Sequence, residues 1–418
     1  TVTIDPRPFT PLSVHSQVND ARHGHVVGAE QNISVWSASR LHDWARCPRA
    51  GWLGRGLYAD VEDLQTEDLD ARTHGDLFHN VHHDLLCKIL NFEMGGDREI
   101  DFSIDSKIPL SIAKSGINEE EIMKIALEVL DDRAPWLNRS DAVSTNRVRM
   151  MTGMNLREWM NWTPNPQPTP IAGRIGRMIR EELKLTGAIP LALEWELINH
   201  DERGIEIELP AEITIPNGEA LPSLRLRGMI DRVDLLSFDE NESIWFDAEG
   251  SETIAPLKII GTDWKPRRLI AIRDLKTSES TKVTDRHAKG LLEELQLALY
   301  ARAWEIAHPG DLVVAAGISV LGHKTTHLIE ISNRFNPTNE GASFGNRTSI
   351  THDRYRFKNE NNDPQSDPLR AWLAARISVA LGVANGAKNG RVHPTPSQDA
   401  CKFCRVAEIC DVNLKEDN

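Results

Sequence analysis

Two hydrophobic periods divide the chain. Before residue 190, apolar positions recur at helical spacing. In ARTHGDLFHNVHHDLLCKIL (71–90), Leu77, Val81, Leu85 and Ile89 fall at i, i+4, i+8 and i+12, which predicts an amphipathic helix. Upstream, ISVWSASRLHDWARCPRAGWL (33–53) predicts a helix capped by Ser37 or Ser39, with Leu41, Trp44 and Ala45 on one face. It should stop at Cys47-Pro48, because proline disfavours helical geometry in the preceding residue. Further helical segments at 119–130 and 155–162 alternate with linkers, and the stiff PNPQPTP (164–170) precedes a basic helix over 171–183. From 191 the period drops to two, giving strands in LALEWELI (191–198), GIEIELPAEITI (204–215), LRLRGMIDRVDLLSF (224–238) and 269–275, with an acidic hairpin over 239–255. A long helix over 287–307, a strand over 311–322 and a helix over 367–386 complete the pattern. Strands flanked by helices predict a mixed α/β sheet. The expected division is an N-terminal arm or linker at 1–32, a first helical part of the core at 33–95, a helical insertion at 96–190, and the sheet core with a cysteine-bearing tail at 191–418.

Composition narrows the class. Of 418 residues, 40% are hydrophobic and 26% charged, as in an ordinary soluble protein. No apolar run approaches the roughly 20 residues that span a bilayer, and no signal-peptide pattern opens the chain, so no membrane partner and a cytoplasmic location are expected. The first residue, Thr1, suits a fragment or a processed product. A net charge of −14 argues against a nucleic-acid coat working by bulk positive potential. It leaves room for local basic patches such as RIGRMIR (174–180) and KPRR (265–268), while EDLQTEDLD (62–70) and NEEE (118–121) read as solvated faces. The five cysteines are an odd number with three near the C-terminus, which suits thiolate ligation in a reducing compartment better than a disulfide framework.

The candidate chemistry centres on AIRDLKTSES (271–280). Strand alternation sets Asp274 and Lys276 on one face and turns Leu275 to the other, placing a metal-ligand carboxylate beside an ammonium. Asp231 sits mid-strand in GMIDRVDLL, after a glycine at 228 that permits close backbone approach. His79, His82 and His83 decorate the 71–90 helix, but no glutamate stands where an H-E-x-x-H zinc helix needs one. Gln296 and Tyr300 lie one helical turn apart, and Cys87 reads as a small buried residue. Cys401, Cys404 and Cys410 form C-x2-C-x5-C, a spacing open to zinc and to iron–sulfur alike.

Together these strings resemble the motifs of RecB-type nucleases of the PD-(D/E)XK superfamily, in particular AddAB- and AdnAB-type helicase–nucleases and CRISPR-associated adaptation nucleases. Gly75 with His79, Gly228 with Asp231, Asp274 with Lys276, and Gln296 with Tyr300 occur in the family order. The resemblance covers about 33–95 and 191–410. It implies a restriction-endonuclease-like mixed β-sheet core flanked by helices, with a helical insertion and a C-terminal cysteine-ligated clip. It implies DNA as substrate and a Mg²⁺ or Mn²⁺ site formed by His79, Asp231, Asp274 and the Leu275 carbonyl. Lys276 would orient water or stabilise phosphate charge, with Gln296 and Tyr300 holding the Lys276 strand or the DNA backbone. SASRLHDWARCP, carrying Cys47, completes with Cys401, Cys404 and Cys410 the four ligands of a [4Fe–4S] cluster in such relatives. No phosphate-cradling G-x-x-x-x-G-K-[ST] loop is present, so a helicase motor would be another domain or subunit. The rival readings are a catalytically silent DNA-binding or assembly module and a zinc-clipped protein with accidental motif matches.

Overall fold

The computed structural model describes residues 2–3, 30–59, 71–90, 111–135, 171–199, 202–209, 213–214, 221–236, 268–277, 282–309, 311–322, 325–332, 343–355, 367–402 and 404–410. The helix expected at 155–162, the proline-rich break, the acidic hairpin and Ser278 lie outside these residues, as does most of the N-terminal arm.

The elements that position the site are, in chain order, β1 (Trp36–Ser37), α1 (Ala38–Arg46), α2 (Ala71–Leu90), α3 (Glu119–Arg133), α4 (Ile171–Glu182), β2 (Ala188–Glu196), β3 (Ile205–Ile207), β4 (Leu224–Arg227), β5 (Met229–Leu236), β6 (Arg268–Lys276), α5 (Val283–Leu292), α6 (Gln296–Ala307), β7 (Asp311–Val320), β8 (Thr326–Ile331), β9 (Asn346–Arg347), α7 (Ile350–Tyr355), α8 (Pro368–Lys388) and α9 (Gln398–Lys402). The main sheet has the order β9-β8-β7-β6-β5-β2. It is mixed: β6 and β7 run parallel, while β6 with β5, β5 with β2, and β7 with β8 are antiparallel. The parallel pair requires a crossover, which α5 and α6 supply. A small second sheet takes the order β1-β4-β3.

Helices cover both faces of the main sheet. On one side α1, α6 and α8 bury Leu41, Trp44, Leu299, Trp304 and Trp372 against Val233 and Ile272. On the other, α2, α3 and α4 bury Val81, Ile122 and Ile179 with Leu193, Leu275 and Leu321. The central strands read accordingly: β7 is buried at every position, as expected of a strand covered on both faces. Helix starts follow their capping chemistry. Ser37 caps α1 by accepting from the Arg40 N–H at 3.2 Å, and Asn118 with Glu121 form a capping box on α3. Cys47 ends α1, and Pro48 opens the next short helical turn.

Three sequence expectations are corrected. The single strand over 224–238 divides at Gly228, so β4 joins the small sheet and β5 the main one. Of 204–215, Ile205–Ile207 pairs with β4 and Ile213–Thr214 forms a separate short strand. The long helix expected at 287–307 is two, α5 and α6, broken over 293–295. Apolar periodicity continues through the break because Leu291 and Leu295 enter one core. What makes the break tolerable comes from α8: Trp372 Nε1 donates to the Leu291 carbonyl at 2.7 Å and Arg376 Nη2 to the Glu293 carbonyl at 2.5 Å. Carbonyls released from the helix thus find buried donors.

His287 on α5 welds this crossover to the sheet. The Ile318 N–H donates to its Nδ1 at 3.3 Å, so the opposite nitrogen, Nε2, carries the proton and meets Thr348 Oγ1 at 3.0 Å. Burial first, then Arg273 and Arg286, push the imidazole down to about 4. The folded value lies below the ordinary 6.5, so the unfolded chain takes up this proton first. Stability is therefore lost as pH falls from about 6.5 towards about 4. For His287→Gln, the slope of unfolding free energy against pH in that window should flatten by up to about 1.4 kcal/mol per unit. Urea unfolding at stepped pH measures it, and an unchanged slope would contradict the assignment.

Candidate active site

Asp231 is the third residue of β5, and Asp274 and Lys276 close β6. The antiparallel register pairs Arg232 with Arg273; continued by one residue, it sets Asp231 beside Asp274. Both carboxylates share the sheet face of Val233 and Ile272, while Leu275 turns into the α2 cluster, as alternation predicts. Asp231 Oδ2 accepts the Leu275 N–H at 2.7 Å, and Lys276 Nζ donates to Asp274 Oδ1 at 2.7 Å. Burial pushes the Asp231 carboxyl up to about 7 and the Asp274 charge adds to this, against the pull of Lys276 and the Leu275 N–H. Burial alone would lower the Lys276 ammonium, but Asp274 and Asp231 outweigh it and raise its pKa. Lys276 is therefore a held cation at neutral pH.

His79 reaches this group from α2, in the other helical layer. Burial, then the nearby Lys276 charge, pushes it down to about 4 against the opposing pull of Asp274. Its imidazole is thus neutral, with a lone pair to offer. The helix approaches closely because residue 75 is glycine: a Cβ there would stand 3.0 Å from Thr277 Oγ1, just past the end of β6. The other two histidines go elsewhere. His83 Nδ1 lies 3.0 Å from Asp84 and His82 Nε2 lies 3.6 Å from Glu182, both buried. Cys87 is fully buried beside His83, as expected.

A buried carboxylate paired with a half-buried lysine at the end of a strand, answered by a second carboxylate from its antiparallel neighbour, is a specific arrangement. Residues 262–411 match the model of the PD-(D/E)XK nuclease superfamily. This nuclease-superfamily domain contains Asp274, Lys276, Gln296, Tyr300, Cys401, Cys404 and Cys410; the fold brings Asp231, His79 and Cys47 to it from outside the matched stretch. No curated protein matches the chain.

Within the nuclease-superfamily domain, Gln296 opens α6 and hydrogen-bonds Tyr300, whose phenol in turn hydrogen-bonds the Met229 backbone. The pair therefore anchors the start of β5, two residues before Asp231. Burial, then Asp231 and Asp274, raise the phenol's pKa, so it keeps its proton. Gly228 is what lets the ring lie there, since a Cβ would stand 2.7 Å from the phenolic oxygen.

One residue of the site escaped the sequence reading. Glu194 on β2 falls between Leu193, paired with Arg232, and Trp195, paired with Ile230, which sets it opposite Asp231. Its φ of +48° is left-handed, a conformation costing a non-glycine residue about 1 kcal/mol or more inside a strand. Its charge contributes to the raised Asp231 carboxyl. The signal available was a pair of carboxylates, Glu194 and Glu196, inside the otherwise apolar run LALEWELI.

Four of the five cysteines come together from the two ends of the sequence. Cys47, Cys401, Cys404 and Cys410 line one cavity with Pro394, Thr395 and Val406. The Thr395 N–H donates to Cys47 Sγ at 3.5 Å, and the Cys404 thiol is pushed up by burial and by the other three sulfurs, against a bond from the Val406 backbone. Thr395 Oγ1 also donates to the Arg46 carbonyl at 2.7 Å, and Arg49 Nε to the Val392 carbonyl at 3.0 Å. Among the described residues, no group of three or more His, Cys, Asp or Glu side chains is arranged to hold a metal ion as it stands. No described helix is long and apolar enough to cross a membrane.

Gly228→Ala should push Tyr300 off Met229. In urea unfolding, the expected outcome is a loss of about 1–3 kcal/mol with the circular dichroism spectrum retained; unchanged stability would show that the Gln296–Tyr300 anchor is dispensable.

Proposed function

We propose that the chain is a metal-dependent nuclease that hydrolyses DNA phosphodiester bonds, most simply as an exonuclease serving DNA repair, recombination or the processing of foreign DNA. The observation that carries this reading is the grouping of Asp231, Asp274, Lys276 and neutral His79 across the edge of a PD-(D/E)XK nuclease-superfamily domain. The donor set fits a divalent cation. Two carboxylates face one another, and their mutual repulsion helps raise Asp231; a dication relieves that repulsion. Hard oxygen donors suit Mg²⁺ or Mn²⁺, and an imidazole in the set leans towards Mn²⁺.

In this reading Asp231, Asp274, the Leu275 carbonyl and His79 hold the ion, which when bound supplies charge neutralisation at the scissile phosphate and lowers the pKa of water. Lys276, held protonated by its carboxylate neighbours, acts as a cation and not as a base. It orients the attacking water or offsets charge that grows on the phosphate as the phosphorus–oxygen bond to the leaving group breaks. Tyr300 and Gln296 act through β5, keeping Asp231 at its height. Glu194 adds a third carboxylate to the same edge.

The same reading assigns Cys47, Cys401, Cys404 and Cys410 to a [4Fe–4S] cluster. The residues fit: four sulfurs share one cavity and a backbone N–H already points at one of them. Zinc is the competing occupant of the same donor set. A helicase domain or subunit is the natural partner, supplying the motor that this sequence lacks.

Asp274→Ala should abolish degradation of end-labelled linear DNA in Mg²⁺ and Mn²⁺. Lys276→Ala should lose cleavage while still binding Mn²⁺. Equal degradation by wild type and Asp274→Ala would refute catalysis at this site and leave the silent DNA-binding module standing. For the clip, anaerobically purified protein should be coloured, and Cys404→Ala should lose colour, thermal stability and DNA binding together. Normal melting with colour lost would contradict a structural clip, and colourless zinc-loaded wild type would replace the cluster with zinc.

A further inference from the structure

Behind the two site carboxylates, on the opposite face of the sheet, lies a second set of charges. Arg232 follows Asp231 on β5, and Arg273 precedes Asp274 on β6; the two arginines form a cross-strand pair and are fully buried. Like charges directly opposite each other in a sheet repel, so this pair needs an explanation. It is supplied by one carboxylate. Asp234 Oδ1 accepts Arg232 Nε at 2.7 Å, and Asp234 Oδ2 accepts Arg273 Nε at 2.5 Å. Glu182, at the end of α4, accepts Arg232 Nη1 with both oxygens at 2.7 and 2.8 Å. Arg273 Nη2 donates to the Phe344 carbonyl. Two guanidinium groups and two carboxylates thus balance in charge, with Asp234 bridging strand to strand and the buried imidazoles of His82 and His327 lying 3.6 and 3.7 Å from Glu182.

We infer that Asp234, with Arg232 and Arg273, is a positioning group that sets the separation of Asp231 and Asp274 from behind the sheet. The inference rests on the proposed use of those two carboxylates as metal ligands. Three observations support it. First, each arginine is the chain neighbour of one site carboxylate, so a side chain clamped on one face fixes where the next residue leaves the other face. Second, the clamp runs between β5 and β6, the two strands whose spacing defines the site, and complements the Asp231 to Leu275 N–H bond on the site's own side. Third, a buried ion cluster gives little or no net stability over apolar residues of similar volume. Arg232 Nη2 and Arg273 Nη1 are moreover buried without a hydrogen-bond partner among the described residues. Stability alone is a poor reason for such a cluster, whereas fixed geometry is a good one, because a metal shell responds sharply to the groups that orient its ligands.

The test separates charge balance from the bridge. Asp234→Asn keeps the shape but leaves Arg273 uncompensated, so it should melt at lower temperature and bind Mn²⁺ more weakly. The double variant Asp234→Asn/Arg273→Met restores neutrality, since Arg232 keeps Glu182, but it has no charged bridge between strands. It should recover most of the melting temperature and still bind Mn²⁺ ~10-fold more weakly, read by electron paramagnetic resonance on metal-free protein, with the half-saturating metal for cleavage raised in parallel. Arg273→Lys, which retains a cation for Asp234, should fall between this variant and wild type. If the double variant binds Mn²⁺ as wild type does, the cluster is structural only and the inference is overturned. If it stays as unstable as Asp234→Asn, charge balance is not what the bridge supplies and the inference is likewise overturned. Asp274→Ala run alongside separates the two layers of the argument: equal Mn²⁺ binding by wild type and Asp274→Ala refutes the metal site itself, whatever the bridge does.

Discussion

A strand buried on both faces cannot carry unpaired charge, and β6 carries Arg273, Asp274 and Lys276 in four consecutive residues. Much of the architecture around it answers that constraint. Lys276 is met by Asp274 and Asp231 on one face, and Arg273 by Asp234 on the other. Each answering residue comes from β6 itself or from β5, so the antiparallel pairing of these strands is a condition for keeping the charges inside. At the end that carries the candidate site the compensation is incomplete, with Asp231 and Asp274 sharing the Lys276 ammonium and Glu194 nearby.

How much of this could be read from residues alone depends on the kind of signal. Asp274 and Lys276 on one face with Leu275 opposed was legible, because period two leaves no freedom once β6 is a strand. The amphipathic α2 was equally plain, and among its histidines only the family-like spacing from Gly75 singled out His79, since periodicity does not. His79, His82 and His83 differ by a turn or less, and what separates their surroundings is the fold: Lys276 and Asp274 lie near His79, Glu182 near His82 and Asp84 beside His83. The division at Gly228 was hidden because β4 and β5 keep apolar alternation on both sides of it. Glu194 was hidden for the opposite reason: its left-handed backbone breaks the alternation by which a sequence is read. The break between α5 and α6 is encoded some 80 residues away, in Trp372 and Arg376, where no local pattern could reveal it.

The two helical layers divide the work. The layer of α5, α6 and α8 forms the crossover between β6 and β7 and carries the tyrosine that holds β5 at Met229. The layer of α2, α3 and α4 delivers His79 around the strand ends and contributes Glu182 to the charges beneath the sheet. Residues read from the sequence as a helical insertion, α3 and α4, share one apolar cluster with α2 and with Leu193, Leu275 and Leu321 of the sheet. The histidine helix is therefore seated by that block as well as by the strands.

The contacts joining α1 to the cysteine segment also bear on the order in which the molecule is made. Arg49 meets Val392 and Arg46 meets Thr395 across separations of 343 and 349 residues, among the longest-range contacts of the fold. During synthesis, the helix that begins at Ala38 has no complete seat until residues near 395 have left the ribosome, long after β5 and β6 can pair. Closing so large a loop costs entropy that local pairing does not. The main sheet is thus free to assemble first, and the joining of α1 to the tail becomes a late event, so that interrupted translation yields chains with a paired sheet and an unseated α1.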